Sequence, residues 1–370
     1  MVGVVVVLDA QNGDLLTSAN YPRPDYQRLR DEDHAGIRYY NDYRHPADWK
    51  GYTDRDLGLT YQSMPGSTAK VMSALAGLQK MGISAAGKKY YVDDKEIVEN
   101  GRVKEPHGYD VTMRDAIVKS SNCYFINLVN DCELYQNLGD IYETVGVRIE
   151  NVTPYYLSYS INSSKHSQFQ NIIQEVGDRG VEKYRQYKEG GEPRIMNDKD
   201  WQWAWGQGTM TATPLNMARV VSAVANGGQM PVTHYLRQTA DQQHKNITPE
   251  YVSITSSANA KMLKYYLREQ AANNQSIFGA FTEYIGGKTG TPERTLVKSS
   301  GKRSKPNDGW YVMYVETGTA HHPVLAVALR MERVGLSKKI DGASETSGAA
   351  MRMANEVVLS TLEKRGYIVR

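Results

Sequence analysis

Strand-like segments stand at the two ends of this chain and are missing from its middle, a placement that restricts the folds open to it. Val2–Leu8 is an unbroken Val-rich run, Gln11-Asn12-Gly13 reads as a tight turn, and Leu15–Ala19 as a second strand. Near the other end Tyr284–Thr291, Gly309–Glu316 and Val324–Met331 read as three further strands. A closing amphipathic helix then carries Met351, Ala354, Val358 and Leu362, with Gly366 past its end. The middle is helical. One helix starts at Ser67, spaces Val71, Leu75, Leu78 and Met81 along one face, and stops at Gly82. Another opens at Thr112 with Asp115 three residues on, a capping box, and breaks at Ser120-Ser121-Asn122 before Cys123–Asn130 resumes. A third is opened by Thr213-Pro214 and ended by Asn226-Gly227. This order fits an α+β fold. Five strands form one antiparallel sheet whose edges come from opposite ends of the chain, flanked by helices, and the helical middle forms a second lobe.

The 370 residues suit one composite domain over 1–370, without internal repeats. Residues 20–62 are expected to be a long irregular connection, and the polar, Tyr/Lys/Glu-rich stretch 150–200 an insertion. A net charge of +3 lacks the basic excess of a nucleic-acid binder, so no nucleic-acid partner is expected. With 40% apolar residues the chain can bury a large core, which excludes global disorder. Val2–Leu8 is too short to span a bilayer, and a structured start at Met1 leaves no room for a signal peptide, so the chain reads as soluble and globular. Cys123 and Cys132 would sit on opposite faces of a helix, about 13 Å apart along its axis, beyond disulfide reach. The histidines make no metal-ligand spacing, and His321-His322 reads as a solvated pair.

Three short motifs carry chemistry. Ser67-Thr68-Ala69-Lys70 places a hydroxyl at a helix start and an amine one turn later on the same face. Serine is a poor nucleophile until a base takes its proton, and a lysine desolvated near other cations can be that base. The second S-x-x-K, Ser299-Ser300-Gly301-Lys302, has no apolar helix behind it and reads as a solvated loop. Ser120-Ser121-Asn122 is weak as a pattern, since S-x-N recurs at Ser18, Ser160 and Ser257, but it alone stands at a break between helices. Lys288-Thr289-Gly290-Thr291 holds the sole K-T-G. Gly290 would let a substrate backbone come close, and the threonines could hydrogen-bond a carboxylate. A phosphate loop is excluded because Thr282 stands where that motif needs glycine. The basic run Lys298, Lys302, Arg303 and Lys305 reads as a solvated hairpin, and the 26 tyrosines as core and interface residues.

S-x-x-K, S-D-N and K-T-G, in that order, are the signature set of class A β-lactamases and penicillin-binding proteins. The chain resembles the transpeptidase domain of penicillin-binding proteins, of the high-molecular-mass type. Met64-Pro65-Gly66-Ser67-Thr68-Ala69-Lys70 is similar to that family's P-G-S-T-x-K block. Trp205-Gly206-Gln207-Gly208, Thr213-Pro214-Leu215 and Ala225-Asn226-Gly227-Gly228 are similar to its G-Q-G, T-P-L and A-N-G-G stretch. Gly287–Thr291 followed by Asp308-Gly309-Trp310 matches its G-K-T-G-T and D-G-W strands, and Val5–Asp9 with Gly13-Asp14 its first hairpin. The resemblance is good over 2–135 and 201–365 and poor over 150–200. Two departures separate it from β-lactamases: Ser121 replaces the aspartate of S-D-N, and Ala212 stands where a deacylating Glu would precede Leu215-Asn216.

The resemblance implies an active site between sheet and helical lobe, and a serine-type DD-transpeptidase acting on D-Ala-D-Ala stem peptides of peptidoglycan. Ser67 would form the acyl-enzyme, with Lys70 the acylation base. Ser120 would relay a proton to the leaving amine, Asn122 would bind the substrate amide, and Lys288 would supply positive potential. Thr289, Gly290 and Thr291 would bind the substrate's carboxylate end, and the backbone N–H groups of Ser67 and Thr291 would form the oxyanion hole. β-Lactams would acylate Ser67, and no metal or organic cofactor is needed. The implied location is the periplasmic face of the bacterial inner membrane, beside other cell-wall synthesis proteins. The chain is expected to be an excised domain with Met1 added and the parent's anchor outside it. The alternatives are a DD-carboxypeptidase, a β-lactamase, or a non-catalytic β-lactam sensor or scaffold.

Overall fold

In the computed structural model, strands β1 (Val2–Asp9), β2 (Leu15–Tyr21), β3 (Ile285–Gly290), β4 (Gly309–Glu316) and β5 (Val324–Glu332) form a single five-stranded sheet. It describes residues 2–31, 37–38, 52–92, 109–149, 163–189, 201–235, 248–292, 297–299, 302–304, 308–332 and 347–369. The order is β3-β4-β5-β1-β2 with every pair antiparallel, so the edges do come from opposite ends of the chain. β1 runs from Val2 opposite Glu332 to Asp9 opposite Leu325, and where the register with β2 shifts between Val7 and Leu8, Leu16 is the extra residue of a bulge in β2. With a core packed on each side of the sheet, β1 is covered on both faces, which is why its sequence is a continuous apolar run.

The period-two alternation splits two cores. Val4, Val6 and Leu8, with Trp310, Val312 and Ala328, face the helical lobe. Val5, Met313, Val315, Val327 and Leu329 face the C-terminal helix. The lobe is built from α1 (Lys70–Met81), α2 (Met113–Lys119), α3 (Asn122–Asp131), α4 (Tyr135–Val145), α5 (Ser163–Lys188), α6 (Pro214–Ala225) and α7 (Ser257–Ala272). Thr112 and Asp115 make the expected capping box of α2, and Thr213 with Asn216 makes another at the start of α6. On the opposite face lies α8, formed by Ser347–Met353, a wider π-type stretch Ala354–Leu359, and Ser360–Lys364. Cys123 and Cys132 are both buried and are not bonded to each other.

Part of the polar stretch 150–200 is helical. Residues 163–188 form the longest described helix, α5, with Phe169, Ile173, Val176 and Tyr184 buried against the lobe. Its high charge had concealed an apolar stripe at helical spacing, and the Tyr184 hydroxyl donates to Asn127 Oδ1 at 3.2 Å. Residues 150–162 and 190–200, with Ser160, lie outside the described residues. Within 20–62, the described part carries only short elements such as Tyr26–Arg30 and Leu57–Thr60, the latter capped by Asp56. Lys298, Lys302 and Arg303 lie on a two-stranded hairpin, Val297–Ser299 with Lys302–Ser304, while Lys305 is outside the described residues.

The reading of His321-His322 as a solvated pair is corrected. Only His321 is exposed. The Nδ1 of His322 lies 2.5 Å from Oδ2 of Asp9, a carboxylate 1% exposed. The other Asp9 oxygen accepts from the amides of Gln11 and Asn12, so one buried aspartate ties the first hairpin to the loop before β5.

Candidate active site

Ser67 sits on a turn fixed from both sides by backbone. Ser63 and Ala212 exchange backbone hydrogen bonds at 3.0 and 2.9 Å, which holds the chain extended just before the turn. Gly66 then takes φ +58°, a left-handed value that an L side chain resists, and donates its N–H to the Gly206 carbonyl at 2.9 Å. Gly66–Ala69 winds as one tight 3₁₀ turn that runs into α1, with Thr68 Oγ1 donating to the Pro65 carbonyl. Against it lies the end of β3. A Cβ on Gly290 would stand 2.5 Å from Pro65 O, and one on Gly66 would stand 3.0 Å from the Thr291 amide nitrogen. Glycine at both positions lets the two backbones touch, and Ser67 is left half-buried at the junction.

Lys70, one turn on, is fully buried, an unusual place for an ammonium unless it is well bonded. Its Nζ donates to Ser120 twice, to the carbonyl oxygen at 2.5 Å and to Oγ at 3.1 Å. This double contact depends on a backbone kink. Ser120 ends α2 in the left-handed region (φ 66°, ψ 40°), while Ser121 immediately caps α3 through its bond from the Tyr124 amide. A non-glycine residue held there stores strain, and strain of this kind gathers at functional sites.

From the sheet side, Lys288 reaches the same hydroxyl. Its Nζ donates to Ser120 Oγ at 2.9 Å and to the Thr289 carbonyl at 3.3 Å. Complete burial, and after it the Lys70 ammonium nearby, holds Lys288 well below the ordinary lysine range. Two amines on one hydroxyl make a proton path. When either amine loses its proton it can accept from Ser120 O–H, and the serine can take a proton from the other.

The structure therefore brings Lys70, Ser120 and Lys288 into direct contact, and sets Ser67, Gly290 and Thr291 together at the turn. Thr289 and Thr291 are both half-buried and, two apart on an extended chain, share a side opposite to Lys288 and Gly290. Asn122 is the first residue of α3, half-buried beside the Ser120 kink.

Two contributions escaped the sequence reading. The Ser120 carbonyl is a main-chain atom, and no motif of side chains could signal it. Arg330 is the second: buried on β5, it bonds Asp308 Oδ2 through Nε at 3.2 Å and Nη2 at 3.0 Å, and lies over the Tyr61 ring at 4.6 Å. The pair fastens the start of β4, the strand that holds β3. A single charge inside the apolar run Val324–Met331 was its available signal.

The penicillin binding protein transpeptidase domain family model matches residues 3–353. No curated protein sequence matches the chain. Among solved structures, the transpeptidase domain of penicillin-binding protein 3 from Burkholderia pseudomallei aligns with TM-score 0.59 at 15% identity, covering 98% of this chain and 88% of that one. A peptidoglycan synthetase from Bifidobacterium adolescentis aligns with TM-score 0.61 at 14% identity, covering 98% of this chain and 57% of that one, so the present chain spans little over half of that protein's length. Penicillin-binding protein 3 from Mycobacterium tuberculosis, complexed with aztreonam, aligns with TM-score 0.60 at 18% identity over 99% of this chain and 73% of its own.

Proposed function

The chain belongs to the penicillin-binding protein transpeptidase domain family, and from that premise we propose that it is a peptidoglycan DD-transpeptidase working through a Ser67 acyl-enzyme. The observation that carries this reading is the junction at Ser120, where both lysine amines meet one hydroxyl beside the Ser67 turn. A scaffold without chemistry has no use for two buried ammonium groups bonded to one serine, because each costs desolvation.

In this mechanism Lys70 takes the proton of Ser67, and the serine attacks the carbonyl between the two D-alanines. The oxyanion is held by the backbone N–H groups of Ser67 and Thr291, a reading supported by the close approach of Gly66 to the Thr291 amide nitrogen. The proton passes from Lys70 to Ser120 and on to the departing D-alanine amine, while the positive potential of Lys288 keeps the carriers poised. Asn122 binds the substrate amide, and Thr289 and Thr291 hold the terminal carboxylate, with Gly290 allowing the substrate strand to lie close. An amine from a second stem peptide then attacks the acyl-enzyme and forms the cross-link. β-Lactams enter as mimics of the D-Ala-D-Ala end and remain on Ser67; the similar fold of the aztreonam-bound protein supports this.

Such chemistry belongs outside the cytoplasmic membrane, beside other cell-wall synthesis proteins. Among the described residues no helix is long and apolar enough to cross a membrane. The test is incubation with a stem pentapeptide ending in D-Ala-D-Ala plus an amine acceptor. D-Alanine release with a peptide–acceptor product supports transpeptidation. Release with only the hydrolysed tetrapeptide assigns a carboxypeptidase, and no release assigns a sensor.

A further inference from the structure

The C-terminal helix covers only part of the sheet face beneath it. α8 packs on β4 and β5. Its Met353 lies against Gly3, where a Cβ would be 3.4 Å from the sulfur, and from there the helix passes along β1 toward the Asp9 end. Beside β1 and β2 it leaves a cavity of about 450 Å³, walled by Val5, Val7 and Ala19 from the sheet and by Val358 and Leu362 from the helix. At its rim Leu16 and Val357 are 40% and 52% exposed.

Polar groups gather at one end of this cavity. They are His322, Arg365 and Tyr367. Asp9 engages Nδ1 of His322 and spends its other oxygen on the Gln11 and Asn12 amides, which fixes the ring in the cavity wall. Arg365, just past the last helical turn, is exposed. β2 is the edge of the sheet opposite to β3, so none of these groups belongs to the Ser67 site.

We propose that this cavity is a second binding site, for a single-chain amphiphile with an anionic head, a medium-chain fatty acid. The alkyl chain lies between Val5, Val7 and Ala19 on one side and Val358 and Leu362 on the other; the carboxylate meets the Arg365 guanidinium. Small-ligand sites are built this way, as spaces of about 300–1,000 Å³ with apolar walls and a few convergent polar groups. The guanidinium fork matches a carboxylate, which sets the head group. An extended peptide fits worse, because its backbone N–H and C=O groups would face apolar walls without partners.

Titration calorimetry of the whole chain with decanoate, and with uncharged 1-decanol, tests the site. Decanoate binds saturably at one per chain, and decanol binds about tenfold more weakly, as does decanoate to Arg365→Glu. Ala19→Trp and Thr17→Trp, at exposed β2 positions, each fill the cavity and abolish decanoate binding without a change in melting temperature. Non-saturable uptake, equal affinity for decanol, or binding that survives both Trp variants would overturn the proposal. So would a dimer in sedimentation that Ala19→Trp dissociates, since a second copy would then be the occupant.

Discussion

Lys70 and Lys288 bring their amines to one oxygen, the hydroxyl of Ser120, at 3.1 and 2.9 Å. The first comes from the helix behind the Ser67 turn and the second from the edge strand of the sheet, so a single serine joins the two halves of the molecule. Burial, and after it the neighbouring Lys70 ammonium, makes a charge on Lys288 costly.

Lys288→Met separates catalysis from stability. Without this positive potential, acylation by benzylpenicillin slows by about 10²-fold. The folded-state pKa of Lys288 lies below its unfolded value of about 10.4, so between the two the unfolded chain binds the extra proton and stability rises with pH. Below the folded pKa both states are charged and the full penalty of burial is present. Urea unfolding from pH 7 toward that upper value should show the native chain gaining on the variant as pH rises. A pH-independent difference would contradict the depressed pKa.

Ser120 carries two roles that two substitutions divide. Ser120→Ala keeps the strained left-handed backbone and the carbonyl to Lys70 but removes the shared hydroxyl. Ser120→Gly removes the hydroxyl and relieves the strain. Both lose acylation by about 10²-fold or more, and the glycine variant is about 1 kcal/mol more stable than the alanine one. Stopped-flow acylation and thermal melts read both; equal stability would mean the backbone there is unstrained.

Gly290→Ala attacks the seam between strand and turn. Its Cβ would stand 2.5 Å from Pro65 O, so β3 must move away from the turn that bears Ser67. The expected result is a loss of about 1–3 kcal/mol in denaturant unfolding and acylation slowed by about tenfold or more. Unchanged kinetics would show that the Thr291 amide need not stand so close to Ser67.

Asp308→Ala leaves Arg330 buried without this carboxylate, at a cost of about 3–5 kcal/mol. Replacing both, as Asp308→Leu with Arg330→Met, should recover most of that loss. If the double variant is no better than the single one, the pair holds β4 by geometry more than by charge.

The sheet was legible because its strands are apolar runs with clear stops, and Gly309–Glu316 reads the same in sequence and structure. The helix starts were legible from capping side chains at Thr112 and Thr213. α5 was not, since Lys, Glu and Gln between Phe169 and Tyr184 outweigh the apolar stripe in any local average. At the site, Ser67, Lys70, Ser120 and Lys288 could be picked out as motif members, but the meeting of Lys70 and Lys288 at the Ser120 hydroxyl, with Ser120 and Lys288 168 positions apart, depends on the fold. His322 was misread because its partner, Asp9, lies 313 positions away.

The most direct test of the central claim is intact-mass spectrometry after one equivalent of benzylpenicillin, with Ser67→Ala in parallel. The expected result is a lasting penicilloyl adduct that maps to Ser67 and is missing from the variant. An adduct on Ser67→Ala, or none on the native chain, would contradict it.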